Sequence, residues 1–118
     1  MAYADKVLDQ LEVRRCIALV PVLWRYEVSA VLARAQIKAM FPAQKVAEFL
    51  RCLAALDIRV DDDSAGRVLT DVHRLAVHYR LTSYDAAYLE VAQRRNLPLA
   101  TLDDELRAAA AAAGVPVL

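Results

Sequence analysis

The sequence predicts an α/β domain built on a short parallel sheet with helices over both of its faces. Two observations carry this. Segments with helical apolar spacing alternate along the chain with brief apolar runs, and those runs are wholly apolar, as strands buried on both faces must be. Length and composition agree: 118 residues, 58% of them hydrophobic, with only two glycines and four prolines, make one compact, helix-rich domain without low-complexity tracts.

Ala4 to Val13 places apolar residues at 4, 7, 8 and 11, which is a helical period. Cys16 to Val20 is a short apolar run ended by Pro21, the pattern of a buried strand. A long helix is expected from Val22 to Ala39. Pro42 then suits a helix start, and Val46, Phe49, Leu50 and Leu53 supply the apolar face of that next helix. Leu56 to Val60 reads as the second strand, and Asp61 to Ser64 as a turn and cap into a helix over 65–78. Thr82 or Ser83 caps a helix running to Arg95. Asn96 to Thr101 is expected as a third strand, Asp103 to Ala113 as a helix, and Val115 to Leu118, after Gly114, as a last strand.

The long helix carries its polar residues in two narrow stripes, Arg25, Ser29 and Gln36 in one and Glu27, Arg34 and Lys38 in the other. The stripes separate two apolar faces, one with Tyr26, Ala30, Ala33 and Ile37, the other with Trp24, Val28, Val31 and Ala35. A helix apolar on two sides packs against two things, so a dimer or protein partner is expected. Glu27 then sits in a narrow seam, where a carboxylate is costly unless paired or bound to a metal.

Fifteen basic and fifteen acidic residues cancel, so any nucleic-acid binding must use a local patch. Twelve of the fifteen cations are arginine, which favours planar pairing with carboxylates or phosphates. Arg94 and Arg95, with Arg14 and Arg15, are the candidate phosphate contacts. Cys16 and Cys52 lie in apolar segments without zinc-ligand spacing and are expected to be buried thiols. The apolar run from Cys16 to Trp24 is too short to cross a bilayer and no secretion-signal order is visible, so a cytoplasmic location is expected.

Carboxylates open two consecutive predicted helices, in Leu81-Thr-Ser-Tyr-Asp-Ala-Ala-Tyr-Leu-Glu-Val-Ala92 and in Leu99-Ala-Thr-Leu-Asp-Asp-Glu-Leu106. Asp85 lies three residues after Thr82, which is capping-box spacing, and Asp103, Asp104 and Glu105 are favoured at a helix start by the dipole, so each has a purely structural reading. Asp103, however, directly follows a predicted strand, where open parallel sheets bind ligands. With Glu27, Asp85 and Asp103 form a candidate set of hard oxygen ligands for a divalent cation. Asp61 to Asp63 also follow a strand, but a solvated turn explains them. His73 and His78, five apart in a helix, do not share a face, and no phosphate loop or nucleophile motif is present.

These two segments, preceded by Val20-Pro-Val-Leu-Trp-Arg-Tyr-Glu-Val-Ser-Ala-Val-Leu32, resemble in order and spacing the PIN-domain family, in particular VapC-type toxins. The resemblance covers essentially the whole chain. It implies a three-layer α/β/α fold and a Mg²⁺- or Mn²⁺-dependent ribonuclease, dimeric and silenced by a cognate antitoxin. It carries Glu27, Asp85 and Asp103 over as catalytic, metal-holding acids, with Thr101 and Asp104 in support. One departure stands out: the family's central first strand, bearing an aspartate, has no matching segment, and Asp5 and Asp9 lie in a predicted helix. Single-stranded RNA would be cut by metal-activated water, weakly for want of that fourth acid. The alternatives are a non-catalytic module that dimerises or binds an antitoxin, its acids serving as caps, and a DNA-cleaving relative.

Overall fold

The computed structural model describes residues 17–118. The predicted helix at 4–13, Cys16, Arg14, Arg15, Asp5 and Asp9 lie outside them. Backbone contacts divide the chain into two compact units, Met1–Arg59 and Val60–Leu118.

In the first unit a strand β1 (Ala18–Val20) leads through Pro21 into helix α1 (Leu23–Ile37). Ala39, in the left-handed region at φ 56°, turns the chain, and Pro42 sits before helix α2 (Ala43–Ala54), where a missing N–H costs nothing. Strand β2 (Ile58–Val60) follows and pairs with β1 in a two-stranded parallel sheet. Parallel strands need a crossover, which α1 and α2 provide, and Ala18 N–H donates to the Asp57 carbonyl at 2.9 Å. Of the two apolar faces read on α1, the side with Trp24, Val28 and Ala35 is half-buried around the buried Leu32, while Val31 and the side with Tyr26, Ala30 and Ile37 are exposed. Cys52 is exposed, contrary to expectation, because the half-buried side of α2 runs through Val46 and Leu53, and Cys52 falls off that line.

The second unit opens on a broken helix. The helix expected over 65–78 is instead a 3₁₀ turn (Ala65–Arg67), a π-helical turn (Val68–Val72) and a short helix α3 (His73–Tyr79). Ser64 does not cap it: its backbone is already helical, and its hydroxyl donates back to the Asp61 carbonyl at 3.0 Å. Arg80, left-handed at φ 55°, ends α3. Helix α4 (Ser83–Arg95) is capped by Thr82, whose hydroxyl accepts from the Asp85 N–H at 3.1 Å, and ends at left-handed Asn96. Helix α5 (Asp104–Ala112) closes the unit.

The expected strands at 96–101 and 115–118 shrink to a single parallel bridge between Leu99 and Val117. Pro98 and Pro116 cannot donate to a ladder, so pairing is confined to Leu99 N–H on the Pro116 carbonyl at 2.8 Å and Leu118 N–H on the Leu99 carbonyl at 3.0 Å. Helix α4 is the centre of this unit, in contact with the π turn, α3 and α5. Its Leu89 and the π-turn residue Val72 are the largest fully buried side chains, each worth about 1.5–3 kcal/mol. Much of the remaining core is alanine, with Ala86 and Ala110 at 0% exposure. No helix among the described residues is long and apolar enough to cross a membrane.

Candidate active site

Asp85 occupies the first turn of α4 and is half-buried. The Thr82 hydroxyl serves as the cap there, so the helix end is satisfied by a neutral oxygen. Asp103 is itself the N-cap of α5, and its Oδ1 accepts from the Leu106 N–H at 2.8 Å. That bond leaves Oδ2 available to a ligand. The Asp103 N–H in turn donates to Thr101 Oγ1 at 3.1 Å, and Arg107 Nη1 donates to the Thr101 carbonyl at 2.9 Å, which fixes the turn into the helix. Asp104 and Glu105 are exposed in the first turn of α5. Helices α4 and α5, each with an acid in its first turn or at its cap, pack within the same unit. Glu27 belongs to the first unit, exposed on α1.

Among the described residues, no three His, Cys, Asp or Glu side chains form a metal cage. The donor set still suits a hard cation: Mg²⁺ characteristically takes one or two carboxylates and completes its shell with water and substrate phosphate. Asp85 and Asp103 are the residues that would hold it, and both helix N-termini place positive dipole ends beside that charge.

The strongest polar feature of the second unit was missed by sequence reading. Asp61, its side chain wholly buried, accepts from Arg94 Nη2 at 2.7 Å, Arg94 Nη1 at 3.3 Å and Arg95 Nε at 2.8 Å. Glu90, also buried, takes Arg94 Nε at 2.7 Å and Nη2 at 3.1 Å, and Asp63 approaches Arg95 Nη2 at 3.5 Å. The Arg94 guanidinium beside Asp61 lowers that carboxyl from an ordinary 3.8 to about 2, with Arg95 adding to the effect and burial opposing it. Its two carboxylates, Glu90 first, push the Arg94 guanidinium further up. Arg94 spends Nε, Nη1 and Nη2 on Glu90 and Asp61, so it is turned to this clasp, whereas Arg95 gives Nε to Asp61 and Nη2 to Asp63 and remains 43% exposed. The Glu90–Arg94 spacing of four in a helix was a visible signal, but its third member, Asp61, is remote in sequence.

A family profile described as the PIN domain matches residues 2–112. The chain belongs to the PIN domain family. Neither a curated protein nor a solved structure matches it. PIN domains are typically metal-dependent nucleases, so membership assigns a nuclease-type fold and a hydrolase class of chemistry. In this PIN domain the acids at the starts of α4 and α5 are the groups whose residue type and setting suit that chemistry.

Proposed function

We propose that this PIN domain is a Mg²⁺- or Mn²⁺-dependent endoribonuclease, the VapC-type toxin of a toxin–antitoxin pair, cutting single-stranded RNA. The observation that carries the reading is an acid in the first turn of α4, Asp85, where the Thr82 hydroxyl is the cap, and an acid at the start of α5, Asp103, in a chain that the PIN-domain profile matches over residues 2–112. Glu27 is the third proposed acid, and Thr101 and Asp104 are the supporting residues. The chemistry a bound cation supplies is activation of water and polarisation of the phosphate. The protein's part is to orient the acids, which the Thr101 turn favours at Asp103.

Calorimetric titration of Mn²⁺ or Mg²⁺ into the chain tests this, beside Asp85→Asn and Asp103→Asn and together with cleavage of a single-stranded RNA. Binding and cleavage lost in both variants support the reading; binding unchanged in both refutes it. A second reading has its own observation, the exposed apolar side of α1 with Tyr26 and Ile37 at 71% and 84% exposure. It makes the chain a module that dimerises or binds an antitoxin, and it predicts self-association unaffected by the acid variants. The exposed apolar side of α1 also supports a homodimer for the proposed nuclease, for which a cytoplasmic location is proposed.

A further inference from the structure

A cleft of about 240 Å³ in the second unit lies among Arg67, Asp71, Arg74, Glu90, Gln93 and Arg94. Its two sides differ. On one, Arg67 Nη1 and Arg74 Nη2 each reach Asp71 at 2.8 Å, one on each carboxylate oxygen. Two cations thus share a single anion, and each bond uses one N–H of a five-donor fork. On the other, Arg94 takes both oxygens of the buried Glu90 and is held by Asp61, and the exposed Gln93 amide is the polar group this wall presents. The π-helical turn Val68–Val72 shapes the cation side, since it holds Asp71 beside Arg67 and ahead of Arg74. Such turns are well under about 1% of residues and concentrate at functional sites.

We propose that this cleft binds a phosphorylated ribose unit, its phosphate on Arg67 and Arg74 and a hydroxyl donating to the Gln93 amide oxygen. A phosphate is an acceptor-only group that a pair of guanidiniums recognises through several short charge-assisted bonds, and it neutralises the excess cation that Asp71 leaves. Gln93 lies eight residues beyond Asp85, about 12 Å along α4, so the cleft is separate from the candidate acids. The ligand is either a backbone phosphate of RNA, which rests on the proposed nuclease reading, or a free mononucleotide, which does not.

The test titrates adenosine monophosphate and a labelled short single-stranded RNA, both in EDTA, into the full chain and into Arg67→Gln, Arg74→Gln and the surface control Arg59→Gln. At least one probe is expected to bind, to lose about tenfold in affinity in each cleft variant and to be unmoved by the control. Loss for RNA alone, with its salt slope falling by about 0.7, identifies the backbone as the source; loss for both identifies the free nucleotide. Unchanged affinities, or no binding of either probe, overturn the proposal. If the cleft variants bind both probes normally while Asp85→Asn abolishes cleavage, the cleft inference fails and the nuclease stands; the reverse pattern separates them the other way.

Discussion

Replacing Asp61 by Asn removes one charge from the interior of the second unit and little else. The amide keeps an oxygen for the Asp63 N–H, which Asp61 Oδ1 accepts at 3.0 Å, but its NH₂ now faces the guanidinium donors of Arg94 and Arg95. A carboxyl that falls from 3.8 to about 2 on folding contributes about 2 kcal/mol at neutral pH. The folded value is the lower one, so the contribution is complete above the unfolded value and disappears as pH drops through about 2. Glu90 still holds Arg94 in the variant, which limits the further penalty of a stranded cation. Urea unfolding at pH 7 is therefore expected to show Asp61→Asn destabilised by about 2–3 kcal/mol. The gap between the two proteins narrows steadily below about pH 4. Comparing the proteins at each pH cancels the titration of every other acid. A loss under about 0.5 kcal/mol at pH 7, or a gap that persists at the acid end, would refute the assignment of Asp61 as an ionised partner of Arg94.

Three further outcomes follow from the helix ends. Asp85→Asn should abolish metal-dependent cleavage while unfolding changes by less than about 1 kcal/mol, because Thr82 provides the cap; a large stability loss would assign Asp85 to structure. Asp103→Ala should cost about 1 kcal/mol in denaturation and Asp103→Asn almost nothing, since Asn still accepts from Leu106, yet calorimetry should find weaker cation binding in both. Arg80→Gly should raise stability by about 1 kcal/mol in the same denaturation assay, because glycine carries no penalty for the left-handed conformation that ends α3.

Helices were legible wherever local chemistry decides them. Thr82 before Asp85, Pro42 before Ala43 and the acids around 103–105 marked starts within a residue or two, and α1 and α4 run over the expected spans to within two residues. Strands were not, since ladder formation depends on the partner's donors: the run Leu97 to Thr101 is apolar enough, but Pro98 and Pro116 between them leave a single bridge. The break of the 65–78 helix into 3₁₀, π and α turns was likewise hidden. Ser64 looked like a cap, and only the fold shows its hydroxyl turned back to Asp61. The acids at 85 and 103 could be found by type and spacing. The role of Arg94 could not, because a buried carboxylate more than thirty residues away decides it.

The alanine-rich packing around α4 sets a direction for mutational drift. With Ala86 and Ala110 fully enclosed, every substitution that adds methylenes there meets occupied space and costs about 1–3 kcal/mol, comparable to the entire charge effect of Asp61. Codon changes from alanine to valine are single-base events and hence frequent. Purifying pressure on this half of the chain therefore falls on the smallest side chains it contains, and variants that accumulate harmlessly on its exposed turns would be removed at those two positions.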